Sequence, residues 1–308
     1  MRSFPSLAIA VLLAAAPLAS ASSFSSIVVY GDSLSDTGNL FAATGVPGYP
    51  YVNGEFSNGP VAVQQLSTLL NAPLLDFAFG GATTGVGNIG DGGTPSSLGI
   101  FGLPGMQAEL ALSAPDLAST DIANALFFVW GGADDFESLV NPTIGQSQTA
   151  AQAAAANIDG IVAALQMEGA TNILVPNLPD LALTPEFTGD AAASAYTTTF
   201  NDALDATLPT GATLFDTDAL FNSILSDPDG YGFTNTTTPC IAAAANPACT
   251  GYLFFDDIHP TTAADTILAQ DFEAAVAPTP EPSSLLLLAT GLLGGMAWIR
   301  RRQLLPQR

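Results

Sequence analysis

Between residue 3 and residue 299 the chain contains no lysine and no arginine. Its five basic residues, Arg2, Arg300, Arg301, Arg302 and Arg308, sit at the two ends, and all 28 acidic residues lie inside that span, so with histidine neutral the span carries a formal charge of −28. This absence excludes several functions. Without side-chain cations the span cannot neutralise phosphates, which argues against any nucleic-acid partner. It cannot form Lys or Arg salt bridges, and its field repels anionic membranes and polymers. Solubility, or a salty habitat with strong screening, accounts for the acidity without any ligand. Loose surface binding of divalent cations is the alternative.

Histidine is almost missing as well, since His259 is the only one. The two cysteines, Cys240 and Cys249, flank a short loop with Pro239 and Pro247 nearby. Zinc is a poor alternative because the only histidine has another use, and an exported chain favours a disulfide between the two cysteines. Nothing in the sequence calls for a resident metal or cofactor, and no internal repeat is visible. What is plentiful is apolar: 48% of the 308 residues are hydrophobic and 11% charged, enough for a sizeable core.

Both ends read as targeting segments. Residues 1–21 have a positive start at Arg2, an apolar run from Leu7 to Ala16 and small residues at Ala19-Ser20-Ala21, the pattern of a signal peptide. At the other end, Pro280-Glu281-Pro282 precedes an apolar stretch, residues 283–299, which is closed by Arg300, Arg301 and Arg302. As a helix that stretch spans roughly 25 Å, slightly short of a hydrocarbon core of about 30 Å. Its arginines should stay cytoplasmic. Physically, residues 280–308 describe a single transmembrane tail anchor. They also resemble the PEP-CTERM sorting signal of Gram-negative bacteria. That resemblance implies recognition by an exosortase-like protease at the inner membrane, cleavage near Pro-Glu-Pro, and release to the cell surface or extracellular matrix.

Residues 22–279 are expected to form one α/β domain. Ile27 to Tyr30 is a β-branched run closed by Gly31, and Leu74 to Phe79 a second strand closed by Gly80-Gly81. Leu126 to Trp130, Ile173 to Val175 and Thr213 to Phe215 are further strands. Helical patterns cover Val61 to Leu70, Thr149 to Met167, Ala191 to Leu208 and Thr261 to Val276. Strands alternating with helices imply a mainly parallel sheet covered on both faces, a three-layer α/β/α sandwich. Functional groups in such sheets collect beyond the carboxyl ends of the strands. The glycine-rich stretch from Gly80 to Gly105 reads as a long loop near the site, and its part around Gly87–Gly105 as either shaping an acyl pocket or lying on solvated surface.

His259 sits in Phe254-Phe255-Asp256-Asp257-Ile258-His259-Pro260. On a turn, Asp256 three residues earlier can meet the imidazole and hold its tautomer; a lone histidine with a structural role is the bland alternative. Ser33, in Gly31-Asp32-Ser33-Leu34-Ser35 just after the first strand, is exposed if the turn is tight, and its N–H can join an oxyanion hole. Asp32-Ser33 also reads as an ordinary helix cap. Asp227-Pro228-Asp229-Gly230 reads as a turn, with calcium binding the alternative, and Trp130 as core.

Residues 31–39, Gly-Asp-Ser-Leu-Ser-Asp-Thr-Gly-Asn, resemble the first block of the SGNH (GDSL) hydrolase family. Phe56-Ser57-Asn58-Gly59-Pro60 is similar to the segment that follows in that family. Phe79 to Thr84 resembles the second block, Trp130 to Asp135 the third, and Asp256-Asp257-Ile258-His259-Pro260 the Asp-x-x-His-Pro block. Val175 to Asp180 is also similar. The blocks run in family order over most of the exported domain. The resemblance implies a flavodoxin-like SGNH fold and acyl transfer on esters. It makes Ser33 the nucleophile, His259 the base and Asp256 its orienting group, with the N–H groups of Ser33 and Gly81 facing the oxyanion. One position departs from the family. Where the family places an oxyanion-hole asparagine, this chain has Asp134. An ionised carboxylate has no proton to donate, and one lost donor costs roughly 2.7–4 kcal/mol, about 10²–10³ in rate. Either Asp134 is kept protonated and donates O–H, or the enzyme is slow, or the site is degenerate. The expected function is an exported esterase or lipase acting on a small ester, a lipid or an acylated polysaccharide. The alternatives are a weakened matrix or adhesion protein on the same fold, or an acyltransferase. Oligomeric state has no signature in the sequence.

Overall fold

The computed structural model describes residues 24–242, 248–277 and Gly295. The expected signal peptide and, apart from Gly295, the apolar stretch 283–299 lie outside the described residues. Among the described residues no helix is long and apolar enough to cross a membrane.

Five strands form one parallel sheet: β1 (Ile27–Gly31), β2 (Leu74–Asp76), β3 (Leu126–Trp130), β4 (Asn172–Pro176) and β5 (Ala212–Phe215), in the order β2-β1-β3-β4-β5. Strand β2 is shorter than Leu74 to Phe79, yet its path continues along β1, because the N–H groups of Phe77 and Phe79 donate to the carbonyls of Val29 and Gly31. Eight helices accompany the sheet among the described residues: α1 (Asn39–Thr44), α2 (Ala62–Leu70), α3 (Met106–Leu117), α4 (Ala133–Glu137), α5 (Ile144–Met167), α6 (Ala191–Thr207), α7 (Thr217–Ser226) and α8 (Thr262–Val276).

Strand alternation divides the core in two. Val28, Tyr30, Phe127, Val129, Ile173 and Val175 face one layer, with α5 and α6 over them. Ile27, Val29, Leu126, Phe128, Trp130 and Leu174 face the other, under α2, α7 and α8. The central strands β1 and β3 are buried on both faces, which is why they read as unbroken apolar runs. The result is a single-domain α/β/α sandwich with the strand order of flavodoxin-like folds.

Helices α1, α3, α4 and α7 are additions to the sequence reading, and α5 begins about one turn before Thr149. At its start Thr143 and Gln146 form a reciprocal capping box. The turn at Asp227–Gly230 is closed by the Gly230 N–H donating to the Asp227 carbonyl at 3.1 Å. Cys240 and Cys249 are joined by a disulfide.

Candidate active site

In this strand order the chain reverses direction of growth between β1 and β3, and the crevice beyond their carboxyl ends is where open α/β sheets bind ligands. Ser33 leaves β1 there on a tight turn, in which the N–H groups of Ser35 and Asp36 donate to the Asp32 carbonyl. Asp32 Oδ1 also accepts from the Leu34 N–H at 3.0 Å. This turn is not a helix cap, because α1 starts only at Asn39.

His259 reaches the same place from the other end of the chain. Its loop is pinched shut by the Phe255 N–H donating to the His259 carbonyl and the Thr261 N–H to the Leu253 carbonyl. Within the loop, Asp256 Oδ1 accepts from the backbone N–H groups of Ile258 at 3.0 Å and His259 at 2.7 Å. Its Oδ2 lies 2.7 Å from His259 Nδ1, and His259 Nε2 lies 2.7 Å from Ser33 Oγ. With Nδ1–H donating to Asp256, Nε2 is left as the acceptor toward the Ser33 hydroxyl. Burial disfavours charge on Asp256, but His259 and the N–H donors outweigh it and bring the carboxyl down to about 2. Burial likewise lowers His259, and Asp256, Glu137 and Asp32 together raise it above its ordinary value.

Two aromatic residues that the sequence reading left unassigned complete this arrangement. The Tyr51 hydroxyl donates to Asp256 Oδ2 at 2.9 Å. The Phe56 ring lies 5.0 Å from the imidazole. Just beyond Phe56, Ser57 donates to the Pro260 carbonyl and Asn58 Oδ1 accepts the Thr262 N–H. The segment therefore braces the loop that follows His259.

Buried carboxylates tie the sequence blocks together. Asp36 accepts the N–H groups of Gly38, Asn39, Leu40 and Gly80. Glu109 accepts those of Gly31 and Phe79, and Asp135 holds both the N–H and the hydroxyl of Thr84. Gly81 follows this wiring with φ +82°, a conformation that favours glycine, and a Cβ there would sit 2.6 Å from Asn88 Oδ1. Among the described residues the N–H groups of Ser33 and Gly81 have no internal acceptor.

A pocket of about 540 Å³, its open mouth included, contains Ser33 and His259. Its apolar wall comes from Trp130, Leu178, Leu181, Phe221, Phe254 and Ile258, and its polar wall from Asp32, Asp134 and Glu137. Neither Gly81 nor the Gly87–Gly105 stretch lines it. That stretch instead folds on itself around Asn88 and Asp91, whose side chains accept the N–H groups of Gly90, Phe101 and Leu103. Trp130, expected in the core, is buried there and also borders the pocket, its Nε1–H donating to the Asn177 carbonyl.

Asp134 lies in the first turn of α4, which Gly132 precedes, and is 5% exposed. Its Oδ2 is buried without a hydrogen-bond partner, as is that of Asp32. Burial, then the charges of Glu137, Asp32, Asp135 and Glu109, push the Asp134 carboxyl well above its ordinary range. Burial also raises Asp32 to about 6 and Glu137 to about 7.

Residues 27–272 match the GDSL-like Lipase/Acylhydrolase family model, and residues 278–302 match the PEP-CTERM protein-sorting motif. The chain belongs to the GDSL-like lipase/acylhydrolase family, a class of ester-bond hydrolases, and carries a C-terminal sorting motif. It is 31% identical over 277 residues to the thermolabile hemolysin of Vibrio parahaemolyticus, a match covering 79% of this chain and 62% of that protein. It therefore spans less than two thirds of that relative's length. It is 26% identical to the phosphatidylcholine-sterol acyltransferase of Aeromonas hydrophila, over 80% of this chain and 88% of that one. Among solved structures it is similar to an acetylxylan esterase from Geobacillus stearothermophilus, with a TM-score of 0.45, 14% identity, and coverage of 83% of this chain and 95% of that one.

Proposed function

We propose that the protein is an exported serine esterase that hydrolyses carboxylic esters through an acyl-enzyme. The observation that carries this reading is the continuous line from Ser33 Oγ through His259 to Asp256, 2.7 Å at each hydrogen bond. Ser33 attacks the ester carbonyl and passes its proton to His259 Nε2. Asp256 stabilises the imidazolium. Collapse of the tetrahedral intermediate releases the alcohol, which takes the proton from Nε2. Water then attacks the acyl-enzyme with His259 as base, and the acid leaves as Ser33 is restored.

The oxyanion is held by the N–H groups of Ser33 and Gly81 and by Asp134 acting as a neutral acid. Support for the last role comes from the buried, unpartnered Oδ2 of Asp134 on the pocket wall and its acidic surroundings. The signs for pH follow. His259 must be deprotonated to accept the Ser33 proton, which sets the acid limb. Asp134 must be protonated to donate, which sets the alkaline limb. Ser33→Ala should remove p-nitrophenyl ester hydrolysis on the order of 10⁶-fold in kcat; a variant that keeps wild-type turnover refutes the mechanism.

The apolar wall of the pocket suits the hydrocarbon part of an ester, so a lipid, a short acyl ester or an acetylated polysaccharide fits the chemistry. Acyl transfer to an alcohol is the second reading, favoured by the acyltransferase relative. Ester formation on an added acceptor alcohol distinguishes the two. The sorting motif supports export, an exosortase-like processing partner and release at the cell surface. Mass spectrometry of the surface form should find it without Arg300, Arg301 and Arg302.

A further inference from the structure

We propose that Tyr51 is a positioning residue of the Ser33–His259–Asp256 relay, orienting the Asp256 carboxylate through its hydroxyl and moderating the basicity of His259. The proposal rests on the reading of that relay as catalytic. The geometry is specific. Asp256 Oδ2 accepts two bonds, from His259 Nδ1 at 2.7 Å and from the Tyr51 hydroxyl at 2.9 Å. Oδ1 is already taken by two backbone N–H groups. Among the described residues Tyr51 is thus the one side chain outside the 254–260 loop that donates to this carboxylate. No lysine or arginine exists between residues 3 and 299 to do so.

The hydroxyl is held in place by its ring. Tyr51 meets the rings of Phe255 at 5.2 Å and Phe56 at 5.9 Å, both edge to face, and Phe56 in turn packs on His259. The same small apolar cluster contains the Cys240–Cys249 disulfide and Tyr252. The Tyr51 loop is closed behind it by the Val52 N–H donating to the Ser57 carbonyl.

A phenol donating to Oδ2 draws negative charge away from Nδ1. Removing it concentrates that charge on the imidazole side, stabilises the imidazolium and raises the His259 pKa. It also frees Oδ2 to turn, which weakens alignment of the ring toward Ser33. Other acids face this pair. Asp32 and Glu137 act on His259, while Glu137 and Glu186 act on Asp256, and Asp257 acts on Tyr51 and Glu186. Because Asp32 and Glu137 titrate at about 6 and about 7, a rate profile alone mixes their charge changes with that of His259. The single histidine removes the ambiguity, since every imidazole signal of the chain belongs to it.

The test is an NMR titration of the His259 ring in the full chain, wild type beside Tyr51→Phe, with kcat and KM for p-nitrophenyl acetate on the same samples. Phenylalanine keeps the ring contacts and removes only the donor. The His259 midpoint should rise by about half a pH unit or more. At pH 7, kcat should fall about three- to tenfold with KM unchanged, as for loss of an interaction used in the transition state. An unmoved His259 midpoint overturns the proposal. Should Tyr51→Phe fail to fold, the wild-type phenol decides: the Tyr51 ring must stay protonated well past the ordinary tyrosine range, and titration like an exposed tyrosine overturns the proposal. The two readings separate cleanly. Full activity in Ser33→Ala removes the catalytic reading on which the proposal rests, whereas an inactive Ser33→Ala with an unmoved His259 removes only the role of Tyr51.

Discussion

Asp134 puts a carboxyl where the related hydrolases are expected to have an amide, and the charged groups that act on it most are acids. Glu137, Asp32, Asp135 and Glu109 each oppose its ionisation, after burial itself. Asp134→Ala should lower kcat by about 10²–10³ through loss of one oxyanion donor. Asp134→Asn keeps a donor that does not titrate, so it should hold activity and flatten the alkaline limb of the pH profile. A pH profile unchanged from wild type would remove Asp134 from the chemistry. At this scale the sequence was informative where scarcity and short spacing coincide. One histidine, an aspartate three residues before it, and a serine after the first strand converge within hydrogen-bond distance. Tyr51 was not legible, because it meets Asp256 across 205 positions and no spacing rule links them, and Phe56 was visible only as part of the Phe56–Pro60 segment, not as a neighbour of His259.

Elements carry these residues through buried polar anchors as much as through apolar packing. Helix α3 shows this most clearly. Its buried stripe is Met106, Glu109, Ser113 and Leu117, so half of it is polar and the apolar period that marks an amphipathic helix is broken. Pro115 in its last turn hides it further. Yet Glu109 fastens β1 and the extension of β2 by accepting the N–H groups of Gly31 and Phe79. Glu109→Ala leaves the buried Gly31 N–H without this partner, while the Phe79 N–H keeps the Gly31 carbonyl, and should destabilise the fold by about 1–3 kcal/mol, measured by urea unfolding; a change within error would assign those bonds no weight. Thr143→Ala removes the capping box of α5 and should cost about 1 kcal/mol while leaving kcat unchanged. The strands β1 and β3 were readable because burial on both faces forces continuous apolar runs.

For the molecule as a whole, the lack of cations makes stability depend on pH in an uncommon direction. Burial raises Asp32 to about 6, and Asp76, Asp135 and Glu137 to about 7, from ordinary values of 3.8 for aspartate and 4.5 for glutamate. Between those ordinary values and the raised ones, the folded chain binds more protons than the unfolded chain. Their contribution is therefore present below about pH 4 and is lost as pH rises through 6 to 7. Asp256, lowered to about 2, acts oppositely, but only below about pH 4. Thermal melts should give a higher Tm at pH 5 than at pH 8. Salt should raise Tm more at pH 8, where the acidic self-repulsion is greatest. A Tm that falls from pH 8 to pH 5 would contradict this account of the buried acids.

The most direct test of the central claim is hydrolysis of p-nitrophenyl acetate and butyrate from pH 5 to 9 by the wild-type chain, Ser33→Ala and Asp134→Asn side by side. The wild type should turn over substrate with both an acid and an alkaline limb, Ser33→Ala should show none above background, and Asp134→Asn should turn over without the alkaline limb. Equal turnover by wild type and Ser33→Ala, or none by wild type and Asp134→Asn alike, would contradict a serine esterase.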